Sequence, residues 1–196
     1  MPKLMEENID EKIMKATLHE CATHPANRFS TRDIAKACGI SEFVIFDHFK
    51  TKDLLIAKVD EYISIPFNAA IIEAAKSSVH FFEFFSKMLD YMIAHPEANA
   101  FAINYCRVFP RYEKDVNYDE FKANVLKMLE TIAPYFPLAH PEDRFTLWAR
   151  FNRELLCYAE LFLEKKVEDT PENRKTMSDF LYRGLAPYQK QGKESV

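Results

Sequence analysis

Residues 29–55 read FSTRDIAKACGISEFVIFDHFKTKDLL, and their pattern predicts two short helices joined by a tight turn. Ser30 can cap the first helix, and Asp33 three residues later completes a variant of the capping box. Gly39 can take the left-handed conformation that closes this helix, and Ser41 can cap the second one. Two helices joined in this way predict a helix-turn-helix.

Helical patterns continue on both sides of this stretch. A helix is predicted over residues 8–23, because Pro25 disfavours helical geometry at the residue before it. A fourth helix is expected to open at Lys50 or Thr51 and to bend at Pro66. The rest of the chain predicts further helices over residues 78–95, 97–108, 118–134, 141–164 and 171–189. With only 3 glycines and no hairpin-type turn, the sequence predicts an all-α fold.

The composition is that of a globular protein. Hydrophobic residues make up 48% and charged residues 29% of the 196 residues, which is enough apolar material for a folded core. The four cysteines form no Cys-x-x-Cys pair, so neither a zinc cluster nor a disulfide framework is predicted, and no cofactor is expected. We recognise no signal peptide and no apolar run of about 18 residues, so a cytoplasmic location is expected.

An enzyme would need catalytic groups at compatible spacing, such as a nucleophile with its base or a cluster of metal ligands. The sequence offers none. Asp47 and His48 come nearest, but neighbouring residues on a helix point in different directions and cannot form a dyad. We therefore predict that the protein is not an enzyme.

Between Ile13 and Leu55 the sequence resembles, without gaps, the helix-turn-helix signature of the TetR family of transcriptional regulators. The resemblance implies a DNA-binding domain over residues 1–55 and a larger helical ligand-binding and dimerisation domain over residues 56–196. The implied function is that of a ligand-responsive repressor. Such a protein binds a palindromic operator in double-stranded DNA as a homodimer and responds to a small ligand, here expected to be apolar or aromatic. No membrane partner is implied.

The resemblance also implies which residues contact DNA. Arg32 occupies a position that often reaches a base edge, and its guanidinium can bind O6 and N7 of guanine together. Ser30 and Thr31 resemble phosphate-contacting hydroxyls at a helix start, and His48 and Lys52 occupy usual phosphate-contact positions. The complete predicted set is Ser30, Thr31, Arg32, Ser41, Glu42, Phe43, Val44, Phe46, His48 and Lys52.

The second helix of the motif departs from the family pattern. Glu42, Phe43, Val44 and Phe46 stand where the family commonly has lysine or glutamine, glycine or proline, threonine, and tyrosine, so two phosphate-binding hydroxyls are lost. Glu42 could accept a hydrogen bond from cytosine N4, and Phe43 or Val44 could pack on a thymine methyl. The alternative is a TetR-fold ligand-binding or protein-interaction module with weak or lost DNA binding.

The charge of the motif indicates how strongly it can bind DNA. Residues 26–53 hold five basic and four acidic side chains, against a net charge of −4 for the whole chain. Because affinity for DNA rises with the number of phosphates neutralised, one such module would bind poorly. Two modules on one palindromic site are therefore expected.

The second half of the sequence is rich in aromatic residues that can line an apolar cavity with a few polar groups. The predicted ligand-contacting residues are Phe84, Phe85, Met88, Phe101, Asn104, Tyr105, Phe121, Trp148 and Asn152. Each of them can equally belong to an ordinary hydrophobic core, and the sequence leaves both interpretations open.

The last two predicted helices carry broad apolar faces. An ordinary surface helix needs an apolar stripe of about 100°, and these faces look wide enough for a second subunit as well. They resemble the helices that form the four-helix dimer interface in the TetR family, and burial within one subunit is the alternative. The predicted interface residues are Phe151, Leu155, Tyr158, Phe162, Met177, Phe180, Leu181 and Gly184.

Overall fold

A computed structural model describes residues 8–24, 29–104, 126–135 and 144–185. The described part of the chain is helical and contains no β-strand, which confirms the predicted all-α fold. Predicted helical residues 105–108, 118–125, 141–143 and 186–189 lie outside it. Its helices are α1 (Ile9–Thr23), α2 (Thr31–Cys38), α3 (Glu42–Phe49), α4 (Lys52–Ser77), α5 (Phe81–Ala94), α6 (Pro96–Asn104), α7 (residues 126–132, followed by a 3-10 turn at Ala133–Tyr135), α8 (Arg144–Leu163) and α9 (Pro171–Leu185).

The ends of α2 confirm the predicted capping. The hydroxyl of Ser30 accepts a hydrogen bond from the backbone N–H of Asp33 at 3.2 Å. At the other end Gly39 adopts the left-handed conformation with φ of 66°, and its N–H bonds to the carbonyls of the last turn. The Ser30 cap and the left-handed Gly39 lie at the two ends of α2, so residues within or next to the helix determine its length.

Ser41 is the N-cap residue of α3, as predicted, but its side chain does not make the capping hydrogen bond. The backbone carbonyl of Ser41 accepts a hydrogen bond from Val44 N–H at 3.1 Å. At the next helix, Thr51 does cap with its side chain, accepting from the backbone N–H of Leu54 at 3.1 Å. Helix α4 is then unbroken at Pro66.

The chain divides into two compact units. The first unit is the described part of Met1–Ile65 and Glu97–Asn117, and the second is the described part of Pro66–Pro96 and Tyr118–Val196. The predicted boundary after residue 55 would divide α4 at its start, whereas the first unit extends along α4 to Ile65 and also takes in α6. The reason is that Ile56, Val59 and Phe101 are buried in the core of the first unit.

The core of the first unit joins α1, α2, α3, the first turns of α4, and α6. Each large side chain fully buried in such a core contributes about 1.5–3 kcal/mol relative to exposure. Thr17 is the buried polar residue of α1, and its hydroxyl donates to the carbonyl of Ile13 at 2.8 Å. The core residues are Ile13, Cys21, Phe29, Ile34, Ala35, Cys38, Ile45, Phe49, Leu55, Ile56, Val59 and Phe101.

In the second unit, α5 packs against both α8 and α9, which also contact each other. An aromatic cluster fills this region: the ring of Phe84 stacks on Tyr135 with centroids 4.9 Å apart and on Phe151 with centroids 5.7 Å apart. The hydroxyl of Tyr135 lies 2.7 Å from the carbonyl oxygens of Ala75 and Ser78. It thereby satisfies the C-terminal end of α4, where carbonyls lack helical partners.

The cysteines and the hydrophobicity of the helices can also be compared with the sequence predictions. Cys21 and Cys38 are buried and Cys157 is exposed, and no disulfide joins these cysteines. None of the described helices is long and apolar enough to cross a membrane.

Candidate nucleic-acid interface

Helices α2 and α3 bury one side and expose the other. Ile34, Ala35 and Cys38 of α2 and Ile45 and Phe49 of α3 face the core of the first unit. All ten predicted DNA-contacting residues are exposed or half-buried. The fold therefore leaves the outer side of the helix-turn-helix available to DNA.

Arg32 is the second residue of α2, and its side chain is exposed. Among the described residues no carboxylate forms an ion pair with it. A guanidinium in this state keeps its five donors for an external partner. The position suits the base-reading role that the TetR resemblance implies.

The hydroxyls at the start of α2 are less available than the sequence suggested. Ser30 donates its hydroxyl proton to the Asp33 carboxylate at 2.5 Å while accepting from the Asp33 N–H. A phosphate contact through this proton would have to replace the bond to Asp33. Thr31 is half-buried at the first position of the helix.

Lys52 is anchored within the first unit. Its ammonium donates to the carbonyl of Phe29 at 2.9 Å and lies 4.0 Å from the centroid of the Phe29 ring. This hydrogen bond and cation–π contact hold the start of α4 against the segment that precedes α2. An ammonium has three donors, so the remaining two are what Lys52 can offer to a phosphate.

His48 is likewise held by a residue distant in sequence. Its Nδ1 lies 2.5 Å from a carboxylate oxygen of Asp10 in α1. A ring that gives its Nδ1 proton to Asp10 can donate to a phosphate only when Nε2 is also protonated. Sequence spacing gave no sign of Phe29 or Asp10 as positioning residues, because each contact joins residues far apart along the chain.

The outer side of α3 exposes two aromatic rings and an aspartate that is paired with a lysine. Phe43 is 78% exposed and Phe46 is 40% exposed, whereas Glu42 and Val44 are half-buried. Asp47 and Lys50 pair with each other on the surface at 3.9 Å, and the Lys50 ammonium also donates to the Asp47 carbonyl. The helix that would enter a major groove thus presents mainly apolar surface.

Helix α6 is attached to the first unit by two contacts. Phe101 has no exposed surface and lies in the core with α1, α2 and α3. Near the start of α6, a carboxylate oxygen of Glu97 lies 2.7 Å from Nδ1 of His19 in α1. The hydrogen bond with Glu97, helped by its negative charge, raises the pKa of His19. The α6 segment therefore belongs structurally with the helix-turn-helix.

The structure distributes the predicted ligand-contacting residues over both units. Phe84, Phe85 and Met88 are buried on α5, and Trp148 and Asn152 are half-buried on α8, all in the second unit. These five residues lie on helices that pack against each other.

The other predicted ligand residues do not join this group. Phe101 and Asn104 are on α6, and Phe101 is fully buried in the core of the first unit. Asn104 is exposed. Tyr105 and Phe121 lie outside the described residues. Phe101 lies in the core of the first unit, and the aromatic pattern of the sequence could not show which unit α6 joins.

The predicted dimer residues divide in a similar way. A side chain with almost no accessible surface in one subunit has little left to bury against a second, and α8 already packs against both α5 and α9. Phe180 on α9 is 64% exposed and Met177 is half-buried, so both are available to a second subunit. The residues buried within the chain are Phe151, Leu155, Tyr158, Phe162 and Leu181.

A residue of the same chain, Arg150, lies close to Gly184. The guanidinium of Arg150 donates to the carbonyl of Gly184 at 2.8 Å, and a β-carbon added at Gly184 would collide with it. Arg150 on α8 thus fills the space that the sequence had suggested for a partner helix.

Comparison with known proteins supports this description. Residues 13–59 match the profile of the family described as bacterial regulatory proteins, tetR family. The structure is similar to that of a TetR family transcription regulator from Marinobacter aquaeolei VT8, with 17% identity, a TM-score of 0.65, and coverage of 89% of this chain and 94% of that one. No curated protein sequence matches the chain significantly.

Two further solved structures have the same fold. A protein described as a tetR family transcription regulator from Shewanella sp. PV-4 is 18% identical with a TM-score of 0.69, over 90% of this chain and 96% of that one. The fatty acid degradation regulator FadR from Bacillus halodurans is 14% identical with a TM-score of 0.59, over 89% of this chain and 98% of that one.

The fold and the match define an all-helical protein with a TetR-type helix-turn-helix. Residues 13–59 match the TetR family profile, and the fold is similar to that of TetR-family regulators. The predicted resemblance is confirmed.

Proposed function

We propose that this regulator is a ligand-responsive repressor that binds a palindromic operator as a homodimer. The observation that carries the proposal is the exposed outer side of α2 and α3, with Arg32 directed to solvent at the start of α2. Arginine in this position can read a guanine through two hydrogen bonds. The core beneath it holds the two helices in a fixed relation, as base reading requires.

Dimerisation is supported by charge and by exposed apolar surface. With five basic and four acidic side chains in residues 26–53, one module can compensate few phosphates, so two modules on one duplex are needed. Phe180 and Tyr182 on α9 and Leu163 at the end of α8 are exposed. Phe180 and Tyr182 point to different sides of α9, and the ring of Tyr182 lies 5.1 Å from that of Phe81, so Phe180 is the side chain of α9 that a second subunit could best bury.

A ligand site in the second unit is supported by unsatisfied polar atoms beside the aromatic cluster. Oγ of Ser86 on α5 and Oδ1 of Asn152 on α8 are buried, and no described residue hydrogen-bonds to them. Buried polar atoms normally have partners, and a ligand or a water molecule can supply them. An aromatic ligand with one or two polar groups fits this combination.

The response to ligand follows from the connection between the units. Helix α4 leads from the first unit into the second, and the chain returns to the first unit with α6. We propose that ligand favours a separation of the two recognition helices other than the one DNA turn, about 34–36 Å, that an operator demands. By linkage, operator and ligand then weaken each other's binding by the same factor, typically about 5- to 150-fold.

Selection of bound duplexes from a random DNA library by the purified protein tests the proposal. We expect an inverted repeat with half-sites centred about 10 base pairs apart and two chains bound per duplex. Sequences without symmetry, or one chain per duplex, would contradict the palindromic dimer.

A second candidate function is supported by the surface of α3. Exposed Phe43 and Phe46 beside the acidic Glu42 and Asp47 also suit a protein partner better than a phosphate backbone. If folded, dimeric protein enriches no duplex, the TetR fold serves here as a ligand-binding or protein-interaction module.

A further inference from the structure

Phe43 stands out on the surface of the first unit. It is the second residue of α3 and 78% exposed, and no other described phenylalanine, tyrosine or tryptophan is as exposed. At about 100° per residue, Phe43 points away from the buried Ile45 and Phe49. The ring therefore contributes little to the core and is free to contact a molecule outside the chain.

The neighbours of Phe43 extend the same apolar surface. Phe46, one turn later, is 40% exposed on the same side of α3. Asp47 also lies on this side of α3, and its carboxylate pairs with the Lys50 ammonium at 3.9 Å. The part of α3 nearest its N-terminus thus offers two rings beside the carboxylate of Glu42 and holds no basic side chain.

The position of Phe43 limits what it can contact on DNA. In a helix-turn-helix, the N-terminal residues of the second helix contact base edges in the major groove. A phenylalanine ring cannot donate or accept an ordinary hydrogen bond, and the only apolar group on those edges is the C5-methyl of thymine. Phosphates and the acceptors of guanine are unsuitable partners for it.

We propose that Phe43 is a specificity-determining residue that selects thymine in the operator by packing on its C5-methyl group. The proposal rests on the DNA-binding function proposed above and divides the reading of a half-site between two residues. Arg32 selects guanine by hydrogen bonds, and Phe43 selects thymine by apolar contact.

The test uses the tightest duplex recovered from the random library and replaces its thymines by deoxyuridine one symmetric pair at a time. This substitution removes one methyl group and leaves all hydrogen-bonding groups in place. At one of these symmetric thymine pairs we expect weaker binding. The loss of one buried methyl group should raise the Kd about fourfold, so the loss of one methyl in each of the two half-sites should raise it roughly 15-fold. The Kd for each duplex is measured by fluorescence anisotropy titration at one fixed salt concentration.

Protein variants link the effect to Phe43. Phe43→Ala should bind the thymine and uracil duplexes equally, whereas Phe43→Leu, which keeps an apolar side chain, should still prefer thymine. Val79→Ala is the control, because Val79 is also exposed but lies in the second unit. It should bind like the unmodified protein.

The outcomes separate this inference from the proposed function. If the protein binds its selected duplex tightly but ignores every thymine-to-uracil change, or if Phe43→Ala keeps the preference, the role of Phe43 is refuted while DNA binding stands. If no duplex is bound at all, the proposed function fails first and this inference with it.

Discussion

Replacing Phe101 by alanine is expected to destabilise the first unit by about 3–5 kcal/mol, the usual range for emptying a fully buried phenylalanine site. Phe101 has no exposed surface and is surrounded by the core of α1, α2 and α3. Because a domain is stable by only about 5–15 kcal/mol in total, this loss is a large fraction of the stability, and we expect the first unit to unfold at a lower temperature and the protein to bind DNA more weakly.

Amide hydrogen exchange followed peptide by peptide measures the effect of Phe101→Ala. Peptides of α1, α2 and α3 should lose protection before those of α5 and α8. Val79→Ala is the control, because it removes an exposed apolar side chain outside the proposed interface and should change protection little. If instead the loss is confined to α5 and α8, Phe101 belongs to the second unit, and its ligand role returns.

Replacing Arg32 by alanine is expected to remove most of the sequence preference of the protein. A bidentate arginine–guanine pair discriminates by about 1–3 kcal/mol, which is roughly 5- to 150-fold for each half-site. The exposed guanidinium has no described ion-pair partner to lose, so the fold should tolerate the change. The ratio of affinities for the selected and a scrambled duplex, at one salt concentration, is the quantity to measure.

Two comparison variants sharpen the Arg32 result. Arg32→Lys keeps the charge but not the planar fork, so it should lose discrimination and retain the salt dependence of binding. Lys127→Ala removes an exposed cation from the second unit and should change neither quantity. If Arg32→Ala weakened selected and scrambled duplexes equally, Arg32 would be a phosphate contact and not a base reader.

The local parts of the fold could be predicted from sequence because their signals are local. Ser30, Asp33 and Gly39 fixed both ends of α2, and the buried pattern of Ile45 and Phe49 fixed the inner side of α3. The same local information was insufficient at Ser41, whose hydroxyl makes no cap although its residue type favours one. A preference for a cap does not decide the rotamer.

Contacts between distant segments could not be predicted. Lys52 on Phe29 and His48 on Asp10 join residues that no periodicity relates, so two predicted phosphate contacts proved to be tethered to the first unit. The aromatic pattern of α6 could not assign Phe101 to a unit. In each of these cases the sequence predicted the helix correctly but not the element against which it packs.

The apolar face of α8 is a further example. Its width suggested a second subunit, but α5 and α9 of the same chain cover most of it and bury Phe151 and Leu155. Sequence shows that a helix has much apolar surface, and it does not show whose surface will cover it. The proposed interface accordingly rests on side chains left exposed, such as Phe180.

The central claim is that the outer side of α3 lies against DNA. Its most direct test places the photoreactive amino acid p-benzoylphenylalanine at Phe43, and in a separate protein at Phe180, and irradiates each with the selected duplex. We predict cross-links to DNA from position 43 and none from position 180. Cross-links from position 43 to protein alone, with none to DNA, would contradict the claim and favour a protein-interaction module.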